Sequence, residues 1–434
     1  MDVVSHKLTR GGLYLLLLTG PILGLATKGF APLLVIAGIL AVIGLVLQAE
    51  RLQASVWKAF LPFAPFFIFA VASTLWSGSV GVFRSFGIFV SVLVFTVSLW
   101  LAYTKLSENE QDLFRTRLSI SVVIGIVLSI TLGSYAEFFP ELASILRNLS
   151  EQTALGNIEI LRQGNRSLSL MPIFLFLVSG FYWQKSPLFF IFLFITTFYI
   201  VANSNSQTSL LGLLCGLVLF ALAWLIRKNR RQIFLGVFSL GLLISPFMFI
   251  ESFENKWVEN YAPTIVKQKA SGNIRQWLYF IYAEEALKRP VFGHGFKASH
   301  YYTPSDINRY LTLSVKQKVG RYGRDEEKGL EFPHAHNLPL QIIFEFGYLG
   351  TLLFLFGLWR LTRLSFVREQ KPFQFAALGA TLGFLMFAYS LWQSWLMASL
   401  GLALLYAIIL QSRERDNETP TSDNRAQSEN ASDA

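Results

Sequence analysis

The sequence predicts an all-α integral membrane protein with about twelve crossings and one long connecting segment. Composition is the first reason: of 434 residues, 53% are hydrophobic and 15% charged, and the mean hydropathy is +0.47. These values lie outside the range of soluble domains. The second reason is spacing. A bilayer core needs roughly 20 apolar residues per helical crossing, and the chain supplies such stretches from end to end. The third is charge, because Lys and Arg concentrate in alternate connections.

The predicted crossings cover residues 11–27, 31–48, 56–75, 82–103, 118–139, 168–184, 187–203, 208–226, 232–250, 338–359, 373–392 and 394–411. Residues 11–27 follow Lys7 and Arg10 and end in "LATKGF", which lacks a small-residue cleavage site, so this stretch reads as a retained signal anchor. Gly and Pro occur freely inside the apolar runs, as in "FLPFAPFFIF" at 60–69. Membrane helices accept them where neighbours satisfy the freed backbone groups. Cys215 is the one cysteine, which excludes an internal disulfide and a cysteine metal cluster.

Basic residues assign the connections to sides. Lys7/Arg10, Arg51/Lys58, Lys105/Arg115/Arg117, Lys185, "RKNRRQ", "RLTRLSFVREQK" and Arg413/Arg415 fall in every second connection, which is the cytoplasmic set. Both termini are then cytoplasmic, and the long segment 251–337 lies outside. Loops of such length without a role are uncommon. The organisation expected is helices 1–9 over 1–250, the outer loop over 251–337, helices 10–12 over 338–411, and a disordered polar tail over 412–434.

Within the loop, "NIRQWLYFIYAEEALKRP" places Ile274, Trp277, Leu278, Ile281 and Tyr282 on one helical face, with Pro290 as the stop. An aromatic stripe suits a helix lying at headgroup level with Arg275 on the opposite face. The alternative is a helix packed on the bundle. "PVFGHGF" contains Gly-x-Gly but lacks the βαβ context of a dinucleotide site, so its glycines read as a tight turn. His334 and His336 flank a small residue just before the apolar run from Leu338, and an extended approach would put both imidazoles on one face. Three roles are open to them on the residues alone: interfacial side chains, Zn ligands needing a third partner such as His294, His300 or Glu331, or a general base. Asn337 either orients substrate or caps the next helix. Glu345 is an intramembrane carboxylate, which should be paired or functional.

The pattern "HAHNLPLQIIFEFGYLG" resembles the signature of the O-antigen ligase and polymerase superfamily. "SGNIRQW" followed by "PVFGHGF", and the upstream "TLWSGSVGVFRS" at 74–85, resemble further elements of that family, so that the likeness covers about residues 60–400. It is slightly nearer the exopolysaccharide polymerase branch. The resemblance implies a multi-helix bundle of the lipid-dependent glycosyltransferase (GT-C-like) type in the bacterial inner membrane. It also implies transfer of glycan from an undecaprenyl-diphosphate carrier to an acceptor hydroxyl on the periplasmic side, with inversion. The acceptor is either a second glycan unit or lipid A core, and no cofactor, metal or nucleic acid is expected.

Carried onto this chain, the family pattern makes His336 the general base, with His334 as a second candidate, and Arg275 the arginine that binds diphosphate. Asn337 and Glu345 join the substrate-binding set. One position departs from the pattern: "NSNSQTSLLG" has Gln207 where relatives carry Arg or Lys, and Arg84, Arg162 or Arg166, all expected in outward loops, are candidates to supply that charge. A secondary transporter is the competing class. It should show broken mid-membrane helices and internal repeats, whereas the densest polar chemistry here lies in a loop.

Overall fold

A computed structural model describes residues 2–48, 61–78, 82–138, 160–183, 185–204, 206–226, 230–256, 260, 270–299, 302, 336–361, 372–386, 390 and 392–411. The described residues are almost entirely helical, with no β-strand among them. In chain order the helices are α1 (Asp2–Leu15), α2 (Thr19–Leu25), α3 (Phe30–Leu47), α4 (Ala64–Ser73), α5 (Val82–Thr104), α6 (Glu108–Phe138) and α7 (Ile160–Tyr182). There follow α8 (Pro187–Asn203), α9 (Gln207–Leu225), α10 (Arg230–Glu254), α11 (Ala270–Lys288), α12 (Leu338–Leu361), α13 (Pro372–Leu385) and α14 (Ser394–Gln411). Among the described residues, seven helical stretches are long and apolar enough to cross a membrane, and five apolar helices are shorter. The protein is an all-α integral membrane protein.

Lipid as solvent explains the outward faces. On α8, Leu188, Phe192, Ile195 and Tyr199 lie three or four residues apart and are all more than half exposed, a stripe that hydrocarbon accepts and water would not. Between helices the apolar contrast vanishes, and close approach of backbones takes over. "GLLCG" (212–216) on α9 faces "GATLG" (379–383) on α13. A Cβ on Gly379 would lie 2.6 Å from the Cys215 carbonyl oxygen, and one on Gly383 would lie 2.9 Å from Cys215 Cβ. The lone cysteine is thus a small packing residue in a helix seam. At the other end of the bundle Gly20 of α2 lies against Ser121 of α6, whose Oγ accepts the Gly20 N–H at 3.1 Å.

Two apolar clusters form the interior. The larger joins α1–α3, α5–α9, α13 and α14, and the smaller joins α4, the start of α5, α10, α11, α12 and residues 296–298. α11 belongs to the second. Leu278 through Ala283 are each at most 5% exposed, so the helix is buried all round at its centre. Tyr279 packs against Phe249 of α10, Phe280 stacks on Phe253 at 4.4 Å, and Tyr282 meets Phe344 of α12. The expected headgroup-level helix is therefore corrected to one packed inside the bundle. Aromatic bulk on every side, and not one stripe alone, produces this.

α12 is broken at Gly347, where φ is 60° and ψ −170°. The break frees backbone groups that a membrane interior penalises by several kcal/mol each if unpaired. The segment after α11 takes them up. His294 N–H donates to Phe344 O at 2.8 Å and Gly295 N–H to Glu345 O at 2.8 Å, while Tyr348 N–H donates to Pro290 O at 2.7 Å and Leu349 N–H to Val291 O at 3.1 Å. Gly293 and Gly347 both have positive φ, and a Cβ on either would lie within 2.5 Å of the opposing backbone. "PVFGHGF" is a tight turn as expected, and its function is to complete a broken helix.

Gly347→Ala combines a left-handed backbone with a Cβ 2.4 Å from Val291 O. It is expected to lower stability by about 2 kcal/mol or more, read as a fall in the thermal unfolding midpoint of the purified protein. An unchanged midpoint would contradict the pairing of break and turn.

Candidate functional site

Asn337, Gln341 and Glu345 recur every four residues along α12 and form one polar stripe on an apolar helix. All three are buried, at 1%, 3% and 0% exposure. Asn337 caps the helix: its Oδ1 accepts Leu340 N–H at 3.0 Å, and its Nδ2 donates to Met386 O at 3.0 Å. With both ends of the amide occupied, the capping role is the one the structure displays. Gln341 Nε2 donates to Glu345 Oε1 at 3.1 Å and to Ser390 Oγ at 3.3 Å. Met386 and Ser390 belong to the connection between α13 and α14. The stripe therefore ties that connection to the first turns of α12.

Glu345 is the centre of the arrangement. Its carboxylate accepts the Ser299 hydroxyl, the Lys297 backbone N–H at 3.0 Å, Gln341 Nε2, and Trp392 Nε1 at 2.8 and 3.0 Å. A buried carboxyl group needs hydrogen-bond partners, and this one has donors from three separate parts of the chain. The Trp392 ring also lies 4.3 Å from that of Phe296. Phe296 is gripped in turn by the Trp-Ser element, since its N–H donates to Ser73 Oγ at 3.0 Å and its carbonyl accepts the Ser77 hydroxyl. Gly295 has φ 97°, and a Cβ there would lie 2.6 Å from Ser73 O. Thus residues 297–299, 341 and 392, far apart in sequence, meet on one carboxylate, and residues 73–77 hold the adjacent Phe296.

His336 directly precedes the cap. Its φ is 50°, left-handed for a non-glycine residue, so the extended approach expected for the histidine pair does not hold at this position. Its carbonyl accepts the Tyr279 hydroxyl at 3.3 Å. Arg275 stands one helical turn before Tyr279 on α11. The Arg275, Arg162 and Gln207 side chains, and all of His334, His300 and Glu331, lie outside the described residues. Arg84, Arg162 and Arg166, expected in loops, are instead near the ends of helices α5 and α7. α7 begins about two turns of polar residues before its apolar run, and Arg84 lies in the first turn of α5, which starts at Val82 as the apolar run does. The Arg166 guanidinium lies 6.0 Å over the Trp395 ring, three residues from Ser169, whose hydroxyl meets Ser206 at 3.1 Å and Ser209 at 3.3 Å beside Gln207.

A second polar group stands behind the loop. Glu285, 1% exposed at its side chain, pairs with Lys288 Nζ at 2.7 Å and accepts the Tyr302 hydroxyl at 2.7 Å. Burial, and then Glu285, push the Tyr302 pKa up. His294 stacks on Phe344 at 4.3 Å and 8°, and its Nε2 meets Glu285 O at 2.9 Å. His294 is thereby a packing residue. Gln341, Ser299, Lys297, Ser390, Trp392 and Glu285 were not singled out by sequence reasoning. The four-residue polar stripe on α12 would have found Gln341, whereas Trp392 carries no local pattern pointing to Glu345.

A broken membrane helix is also a transporter feature. Here the backbone groups named at the break are taken by the 290–295 turn, which leaves them no solute to bind.

Burial lowers the His294 pKa below its ordinary 6.5, which outweighs the pull of the Glu285 carbonyl. The unfolded chain then binds the proton more readily, so this histidine's share of stability is lost as pH falls below about 6.5. Thermal unfolding from pH 8 to 5 is expected to show a shallower acid loss in His294→Phe than in wild type. Parallel curves would contradict a buried neutral imidazole.

Comparison with known proteins bears on the same segments. Residues 191–355 match the O-antigen ligase family model, which includes the turn and the His336–Gly350 pattern. Provisionally named polysaccharide ligases are similar too. That of Rickettsia typhi is 26% identical over 211 residues, 48% of each chain, and that of Rickettsia felis is 25% identical over 292 residues, 66% of this chain and 65% of the relative. A counterpart from Rickettsia prowazekii is 26% identical over 211 residues. The chain thus spans about half to two thirds of the length of these relatives. No solved structure matches it. Motif, turn and the break in α12 all lie inside the region that matches the O-antigen ligase family model.

Proposed function

We propose that this protein is a glycosyltransferase that moves glycan from an undecaprenyl-diphosphate carrier to an acceptor hydroxyl at the periplasmic face of the bacterial inner membrane. The observation that carries the reading is that the motif segments 293–299 and 337–347 meet on Glu345, beside a His336 whose carbonyl accepts the Tyr279 hydroxyl and whose neighbour Asn337 caps α12. The His336 imidazole takes the proton of the acceptor hydroxyl as its oxygen attacks the anomeric carbon. The bond from that carbon to the diphosphate oxygen breaks on the opposite side, which inverts the centre, and the electron pair leaves with the lipid diphosphate. Arg275 holds the departing charge, a task suited to a planar guanidinium. His334 is the neighbour that helps position the acceptor.

Glu345 and Asn337 serve by position, since their polar atoms are engaged within the protein. Arg166 is the candidate to replace the charge absent at Gln207, because it shares its surroundings with the serines at that helix start. Arg162 lies one turn earlier on the same helix. The reading needs no metal or cofactor. In polymerisation of O-antigen or exopolysaccharide the acceptor is a second glycan unit. The second reading is ligation, with a lipid A core as acceptor, and the name polysaccharide ligase given to the similar rickettsial proteins supports the ligation part of it.

The test is incubation of purified protein with undecaprenyl-diphosphate glycan in EDTA, with and without lipid A core. Longer carrier-linked chains are expected for a polymerase and core-linked product for a ligase. His336→Ala is expected to lower turnover roughly 10²- to 10⁴-fold, and Arg275→Ala to lower it as well. Full-speed transfer by His336→Ala would overturn the assignment, and no product with either acceptor would favour transport.

A further inference from the structure

His336 stands where secondary structure gives its backbone no support of its own. Its φ of 50° is a left-handed setting that a residue with a Cβ rarely adopts, and such a setting persists only where neighbouring groups hold it. On the C-terminal side the hold is Asn337. As the cap of α12, Asn337 presents its carbonyl to Gln341 N–H at 2.9 Å, and its side chain to Leu340 N–H and Met386 O. The His336 carbonyl lies one peptide earlier, outside the helix ladder. A carbonyl at the edge of hydrocarbon needs a donor, and the Tyr279 hydroxyl donates to it at 3.3 Å.

Tyr279 is itself held firmly. It is 3% exposed, and its ring packs against that of Phe249 on α10 with centroids 5.0 Å apart. His336 is only half-buried, as a residue that must meet an acceptor hydroxyl has to be. Arg275 precedes Tyr279 by four residues and so occupies the same face of α11. One phenol therefore ties the backbone of the histidine to the helix that carries the arginine.

We propose that Tyr279 is a positioning residue for glycan transfer: its hydroxyl holds the left-handed His336 peptide and so aligns the imidazole with the Arg275 face of α11. This rests on the transferase reading and adds the group that sets base and leaving-group arginine in register. In this role the hydroxyl acts only through His336. Proton transfer demands hydrogen-bond alignment of base and acceptor hydroxyl, so a small displacement of one peptide is felt in turnover.

The test is a double-mutant cycle on the full chain in nanodiscs, with undecaprenyl-diphosphate glycan as donor and the acceptor that wild type uses. Tyr279→Phe keeps the ring against Phe249 and removes the hydroxyl. It is expected to lower kcat roughly tenfold, the scale of one neutral hydrogen bond, with KM unchanged. In a His336→Ala background the same change is expected to alter turnover by less than about twofold, because the group it aligns is gone. A tyrosine needed only for folding would lower turnover alike in both backgrounds, and that result would overturn the proposal. Infrared spectra with carbonyl-¹³C histidine give a readout independent of activity. The His336 band, identified by its loss in His336→Ala, is expected to move to higher frequency in Tyr279→Phe, and an unmoved band would contradict the tether. Where His336→Ala is slow and Tyr279→Phe is not, the role of Tyr279 alone fails. Where His336→Ala transfers at the wild-type rate, the transferase reading fails and takes this role with it.

Discussion

A carboxylate at the centre of a membrane protein must either be neutralised or be surrounded by donors, and Glu345 is surrounded. Its two oxygens draw in a hydroxyl, a backbone amide, a side-chain amide and an indole. Each donor comes with a piece of chain attached. Lys297 and Ser299 bring the segment after α11, Trp392 brings the connection between α13 and α14, and Gln341 keeps the carboxylate aligned with the cap at Asn337. Breaking one donor leaves the charge less satisfied, a cost of a few kcal/mol. The same charge that threatens the fold thus fixes the relative placement of three segments.

The broken helix is the second half of this design. A continuous α12 would hide the Phe344 and Glu345 carbonyls in its own ladder and offer no attachment for the turn at 290–295. Gly347 opens the ladder, Gly293 and Gly295 let another backbone approach, and the exchange of hydrogen bonds leaves every named group paired. Ser73 and Ser77 then hold Phe296 from the other side. His336, whose carbonyl accepts the Tyr279 hydroxyl, and Lys297, whose N–H donates to Glu345, stand at the two ends of these bonded segments. Preorganisation of that kind is what charge stabilisation in a transferase requires.

Much of the helical plan was legible because hydrocarbon leaves so few options: long apolar runs become helices, and among the described residues seven helical stretches are long and apolar enough to cross a membrane, against the twelve crossings read from the sequence. Helix ends were less legible. α6 and α7 begin about two turns before their apolar runs, with Arg115, Arg162 and Arg166 inside. For α11 the stripe left headgroup-level and bundle-packed placements both open, and the aromatic residues off the stripe, which bury its centre, favour the second. At the site, the Gly-x-Gly turn and the His336–Gly350 pattern were visible as patterns. Their partnership was not, since a turn completing a broken helix 50 residues away leaves no periodic trace. Trp392 and Lys297 reach Glu345 only through tertiary structure, and nothing local distinguishes them from other loop residues.

The most direct measurement is backbone hydrogen exchange across residues 295–299, taken together with glycan transfer, in Glu345→Gln. A carboxamide turns its NH₂ toward donors that need an acceptor, so dependence on the carboxylate predicts faster exchange at Lys297 by at least tenfold and a matching fall in transfer. Wild-type exchange at Lys297 with wild-type transfer would contradict it.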